Sequence, residues 1–145
     1  MPSKILISGA EGQLGRVLCD KLKPSFRIYP TALLSDKNYL DDRRILHMDI
    51  SDIDSVYSTL KTIKPDIIIN CAAITNVDMC EKNHQLARSV NVKGLSNIIK
   101  ASKPDTRIIQ ISTDYVFSGL NGPYKESDPT HPISYYGKSK LEAEN

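Results

Sequence analysis

The sequence predicts an α/β fold, a parallel sheet wound by helices on both faces. Three observations carry that expectation. Short apolar runs alternate with stretches whose apolar residues recur at helical spacing. The run Ile67–Cys71 (IIINC) is almost continuously apolar, as suits a strand covered on both faces. A glycine-rich turn, Gly9-Ala10-Glu11-Gly12-Gln13-Leu14-Gly15, joins the first strand to the first helix.

Lys4–Ser8 (KILIS) is short, apolar and bounded by glycine, and reads as the first buried strand. Gln13–Lys23 then places Leu14, Val17, Leu18 and Leu22 at helical spacing, and Pro24 stops it. Phe26–Leu33 is the second strand. Pro30 inside it argues for an edge, a bulge or an early end. Leu34–Arg44 is polar and loop-like, and Ile45–Met48 is a short third strand. Ser51 or Asp52 caps a helix with Ile53, Val56, Leu60 and Ile63 on one face, ended by Pro65. After Ile67–Cys71 a single long helix is expected from about Glu81 to Ala101, with Gly94 a tolerated interruption and Asp78 and Glu81 as its caps. Arg107–Ile111 is the next strand. Ser118–Ser134 is a loop rich in proline and glycine, and a last helix opens near Tyr135. Such alternation implies right-handed crossovers.

At 145 residues the chain is one domain or a piece of one, and an apolar content of 40% supports a real core. A net charge of +2 from interspersed signs excludes the basic stripe that nucleic acid needs. No apolar stretch approaches membrane length, and Met1-Pro2-Ser3-Lys4 is no signal peptide. The cysteines Cys19, Cys71 and Cys80 have no metal-ligand spacing, and Cys19 and Cys71 read as small hydrophobes. The odd number fits a reducing, cytoplasmic compartment. His47, His84 and His131 do not cluster, so no metal site is assigned.

The glycine turn has a chemical reading. Gly9 permits a tight exit from the strand, Gly12 lets backbone approach a pyrophosphate, and Gly15 allows helix and sheet to pack closely. The helix N-terminus then faces the phosphates' charge. This makes the sheet a Rossmann-type, dinucleotide-binding one; the plainer alternative is turn geometry alone. An acid ending the second strand would select NAD. None stands there, and Asp36 comes late. Ser35, Lys37, Arg43 or Arg44 can meet a 2′-phosphate, so NADPH is favoured and NADH stays open. Near the end, Tyr136 and Lys140 are four residues apart and share a helix face, where an ammonium makes a phenol a better proton donor. The plainer alternative is a packed ring beside a snorkelling amine.

With these residues in view, the chain resembles the extended short-chain dehydrogenase/reductase family, and within it the nucleotide-sugar reductases. The markers are Gly9-x-x-Gly12-Gln13-Leu14-Gly15, Pro65–Ala73, Thr75-x-Val77-Asp78-x-x-Glu81, Ser112-Thr113-Asp114-Tyr115-Val116-Phe117-x-Gly119 and Tyr136-Gly137-x-x-Lys140. The resemblance implies a catalytic Thr113, Tyr136 and Lys140. It implies cofactor contacts from Gly9, Gly12, Gln13, Leu14, Gly15, Asp49, Ile50, Ala72, Ala73, Asn91, Tyr136 and Lys140. Asn91 stands at the family's helical asparagine position. The departures are Cys71, where alanine is more usual, and Tyr135, where a smaller residue is common. The implied reaction is reduction of dTDP-4-dehydro-L-rhamnose to dTDP-L-rhamnose with NADPH or NADH. Two other functions remain: a related epimerase or dehydratase, and a non-catalytic regulatory subunit like that of methionine adenosyltransferase. The family is roughly twice this length. The expectation is therefore an N-terminal cofactor domain over 1–145 that lacks most of its sugar-nucleotide pocket, is poorly stable and nearly inactive alone, and forms a homodimer, if at all, only in a full-length form.

Overall fold

The computed structural model describes residues 2–34 and 44–145. Among them a five-stranded parallel sheet runs in the order β3-β2-β1-β4-β5, with β1 Lys4–Ser8, β2 Arg27–Ala32, β3 Leu46–His47, β4 Ile67–Asn70 and β5 Arg107–Gln110. The winding direction reverses between β1 and β4, which makes that gap the topological switch point. The expected α/β class is the observed one, and each strand lies inside its expected span.

Period-two alternation divides the core between the faces. Leu6 and Ile68 point to one side and bury against Val56, Leu60 and Ile63 of α2 (Ile53–Ile63) and Ile98 of α5 (Gly94–Ala101). Ile5, Ile7 and Ile69 point to the other side, against Leu18, Cys19 and Leu22 of α1 (Gln13–Leu22). Leu14 and Val17 differ from expectation and stay exposed. The face that meets the sheet is Gly15, Leu18, Cys19 and Leu22, an i, i+3, i+4, i+7 set centred on the glycine, and it turns Leu14 and Val17 aside.

Pro30 lies in a strand paired on both sides, not on an edge. Arg27 N–H donates to Ser3 at 3.0 Å, on the β1 side, and Ala32 C=O accepts from Met48 at 2.8 Å, on the β3 side. Alternation therefore aims the Pro30 nitrogen away from β1, and β3 pairs only from Thr31 onward. The missing N–H costs no ladder bond. Asp52, not Ser51, caps α2, accepting from Asp54 N at 3.0 Å, and Lys64 ends it in a left-handed conformation (φ 52°) before Pro65.

The single long helix is instead four pieces. α3 (Val77–Lys82) is capped by Asn76, and α4 (His84–Arg88) by Asn83, whose φ of −140° breaks the run. A π-helical turn, Ser89–Lys93, then leads into α5. Two asparagine side chains that satisfy helix-end N–H groups explain the break. Gly94 packs closely on Ile50: a Cβ would sit 2.7 Å from Ile50 Cδ1, so that side chain would have to shift. β5 leads through a 3-10 turn, Asp114–Val116, and an irregular stretch to α6 (Tyr135–Glu144). No helix among the described residues is long and apolar enough to cross a membrane.

Candidate functional site

Two groups of residues meet at the carboxyl ends of the strands, where open parallel sheets hold ligands. The first is the glycine turn. Gly9 takes φ +68°, and a Cβ on it would lie 2.7 Å from Ala72 N. A Cβ on Gly15 would lie 2.3 Å from Gly9 C=O, so α1 seats directly on the turn. Gly12 is the N-cap and offers no side chain, and the first turn of α1 holds no acid. The N–H groups of Gln13, Leu14 and Gly15 thus open a helix end whose positive pole is not neutralised locally.

A cavity of about 460 Å³ lies beside this turn. Of the residues expected to meet a cofactor, it brings together Gly9, Gly12, Asp49, Ile50, Ala72 and Ala73. Glu11, Leu33, Met48, Cys71, Leu86 and Val90 complete parts of its wall, and of these only Cys71 stands out in the sequence, as a departure from the family pattern. Gln13, Leu14, Gly15, Asn91, Thr113, Tyr136 and Lys140 do not line it. Asp49 is held in place: Oδ1 accepts from Ser51 N at 2.9 Å and Ser51 Oγ at 2.7 Å, and its N–H donates to Ser55 at 3.0 Å. Ser35, Asp36, Lys37 and Arg43, the residues weighed for the 2′-phosphate, lie outside the described residues. Arg44 is exposed, with φ 53°. A turn with no room for a Cβ at Gly9 or Gly15, a helix end and an apolar wall fit a dinucleotide.

The second group stands on α6 and the 3-10 turn. Tyr136 is 9% exposed and packs against Cys80 and Ala87, with Tyr115 edge-on at 5.6 Å. Tyr135 is occupied elsewhere. Its ring stacks on His84 at 3.7 Å, and its N–H donates to Glu81 Oε1 at 2.5 Å. Glu81 therefore caps α6, not the helix in which it lies, and Ser134 adds a second cap through Gly137 N at 3.1 Å. Thr113 caps the 3-10 turn, its Oγ1 accepting from Tyr115 N and donating to Asp114 Oδ1, each at 3.3 Å. Gly137, named in the sequence only as part of the Tyr136-Gly137-x-x-Lys140 marker, lets the two elements touch: a Cβ would lie 2.2 Å from Tyr115 C=O.

Lys140 is 4% exposed and donates to Ile111 C=O at 2.5 Å. Burial pushes its pKa down, opposed by the charge of Glu144 and by Cys71. Burial likewise pushes the Cys71 thiol up to about 11, with Cys19 adding and Lys140 opposing. Cys71 walls the cavity at the end of β4, and on the neighbouring strand Ile111 donates its N–H to Asn70 C=O at 3.2 Å while its own C=O accepts from Lys140, so the two groups stand at adjacent strand ends. Asn91 acts from behind. It is 2% exposed on the π-helical turn, accepts from Ile74 N at 2.8 Å, and donates to Ile74 C=O at 3.1 Å and Ser139 Oγ at 2.9 Å. A π turn that aims a buried amide is a recurrent device at functional sites.

A Rossmann-like parallel sheet with a glycine turn at its switch point, and a buried tyrosine and lysine on its last helix, places the chain in the class of Rossmann-like α/β folds. Residues 3–145 match the family model described as RmlD substrate binding domain, and the chain belongs to that family. It is 41% identical over 144 residues to a dTDP-4-dehydrorhamnose reductase of Aggregatibacter actinomycetemcomitans, covering 98% of this chain and 46% of that protein. It is 35% identical to a methionine adenosyltransferase 2 subunit beta of Danio rerio, covering 97% and 42%. The solved dTDP-4-dehydrorhamnose reductase of Bacillus anthracis in complex with NADP superposes with a TM-score of 0.83 at 39% identity, over 99% of this chain and 48% of that one. The chain thus spans about half the length of the relatives it matches.

Proposed function

We propose that this chain is the cofactor-binding portion of a reductase that converts dTDP-4-dehydro-L-rhamnose to dTDP-L-rhamnose with NADPH or NADH, in the cytoplasm. The observation that carries the reading is the join at the ends of β4 and β5, where Cys71 of the cavity wall follows Asn70, and Ile111, bonded to Asn70, seats the buried Lys140. The bound nicotinamide supplies the hydride. The backbone N–H groups of Gln13, Leu14 and Gly15 take the pyrophosphate, whose approach the bare Cα of Gly12 leaves open while its own N–H is bonded to Gly9 C=O at 3.0 Å. Asp49 and Ile50 border the adenine, and Ala72 and Ala73 line the cleft. Thr113 orients the substrate carbonyl oxygen, and Tyr136 donates the proton to that oxygen. Lys140 supplies positive charge for the phenol and the ribose. Asn91 contributes indirectly, by fixing the 71–76 loop and α6.

The test has two arms. NADPH titrated into the full chain is expected to bind with a saturable calorimetric signal that Gly15→Val weakens by about a hundredfold. Consumption of NADPH on adding the dTDP-4-keto sugar then reads the reaction in a protein with the full length of the relatives. Binding without consumption, together with co-purification of a methionine adenosyltransferase, would move the reading to the regulatory-subunit class. Tightly retained NAD without turnover would move it to the epimerases.

A further inference from the structure

A row of polar side chains, Ser8 and Asn70 buried and Gln110 half-buried, crosses three strands beside the apolar core. Ser8, Asn70 and Gln110 are register partners on β1, β4 and β5, so their side chains project from one face in a line. Ser8 Oγ donates to Asn70 Oδ1, Asn70 Nδ2 donates to Gln110 Oε1 at 2.7 Å, and Gln110 Nε2 donates to Ile111 C=O at 2.9 Å. That same carbonyl accepts Lys140 Nζ at 2.5 Å. Every bond runs the same way, from the residue preceding Gly9 to the acceptor of the buried ammonium. Aligned hydrogen bonds of this kind polarise one another.

The sheet does not need this row. Ser8 is 1% and Asn70 2% exposed, at depths where the neighbouring rows carry leucine and isoleucine. An apolar row of similar shape would serve the core equally well, because a buried polar group gains little net stability even when satisfied. What the row does achieve is to fix the Ile111 carbonyl. Its two acceptor positions are taken by Gln110 and Lys140, leaving the ammonium one defined seat.

We propose that Ser8, Asn70 and Gln110 are positioning residues that tie the glycine turn to Lys140, holding the Ile111 carbonyl as the seat of its ammonium. The inference rests on the reductase reading for its purpose but not for its test. Competitive acylation of the full chain at trace reagent, across a pH series and resolved by peptide mass spectrometry, reports Lys140 against the exposed Lys138. Cys71 and Glu144 are the other groups that influence Lys140 electrostatically, and neither is altered. Gln110→Met is expected to raise Lys140 labelling relative to Lys138 by about fivefold, the factor of one net hydrogen bond. Ser8→Ala, two strands from the lysine and too small a deletion to unfold the sheet, is expected to move it in the same direction by less. Unchanged Lys140 labelling in Ser8→Ala and Gln110→Met overturns the proposal. So does an equal rise at every lysine, which would mark a loosened sheet and nothing more. Failure of the reductase reading would appear as absent NADPH binding and would leave the labelling result intact.

Discussion

The two ends of the candidate site are built by opposite means. At the glycine turn the work is done by side chains that are missing: Gly9 and Gly15 let backbone meet backbone at distances no Cβ tolerates. At α6 it is done by side chains reaching across the chain: Glu81 to Tyr135 N, Asn91 to Ser139, Arg88 to Glu142 at 2.6 Å, and Lys140 to Ile111. The first end is rigid because nothing there can rotate. The second is fixed only as well as its anchors are, and that difference suits a cradle for a constant cofactor facing a helix that must aim two reactive groups.

The sharpest way to break the comparison is at Gly15. Valine there must displace the Gly9 carbonyl, and overpacking against backbone belongs at the upper end of the usual range, about 3 kcal/mol. The unfolding midpoint should fall by roughly 10 °C, and NADPH affinity by about a hundredfold. Undiminished affinity in a folded Gly15→Val protein would show that the turn does not form the cradle.

Gly137→Ala attacks the other end. Its methyl meets Tyr115 C=O at 2.2 Å and Pro132 Cβ at 3.0 Å, so α6 must back away from the 3-10 turn that carries Thr113. A displacement of about 1 Å between reacting groups costs roughly a hundredfold in turnover. In a protein with the full length of the relatives, sugar reduction should fall by that factor while NADPH affinity stays within about threefold. If both fall together, the ends are not separable and the contrast fails.

This opposition also explains what could be read from the sequence. The glycine turn is local, seven residues whose spacing is itself the structure, and both its geometry and its place after β1 are as the sequence predicts. The α6 anchors join positions distant in sequence, Lys140 and Ile111 by 29 residues and Glu81 and Tyr135 by 54, and nothing in the neighbourhood of Glu81 says where its carboxylate goes. The same limit applies to the expected long helix. Apolar periodicity runs through it, but Asn83 and Asn76 act as caps that periodicity does not register, and the π turn adds a residue to the repeat. Pro30 misled for a subtler reason: a proline is excluded from a central strand only on the side where its nitrogen faces a neighbour.

Asn91 sharpens the comparison more gently, because it serves both ends at once. Leucine there keeps the volume but leaves the Ile74 N–H and C=O, together with Ser139 Oγ, without their amide partner. An unpaired buried backbone group costs about 1–3 kcal/mol. A loss of about 2 kcal/mol in denaturant unfolding is expected, with Asn91→Asp recovering part of it through the retained acceptor to Ile74 N. Equal losses in both variants would mean that the donors, and hence the tie to α6, carry the stabilisation.

The smallest effect lies at the join. Cys71 titrates higher folded than its ordinary value of 9.0, at about 11, so the folded chain holds more protons than the unfolded one between those values. Its contribution to stability is complete below pH 9 and is lost as pH rises toward 11. Lys140 runs the other way. Its folded pKa lies below the ordinary 10.5, so the folded chain binds fewer protons there, and stability rises with pH from the folded value up to 10.5. The two slopes oppose each other in the alkaline range. Cys71→Ala should remove one of them, so that its stability relative to the parent chain increases between pH 9 and 10.5 in urea unfolding. A difference that stays flat over that interval would mean the thiol is not held protonated by its burial, and that the cavity wall beside Lys140 is wetter than its packing implies.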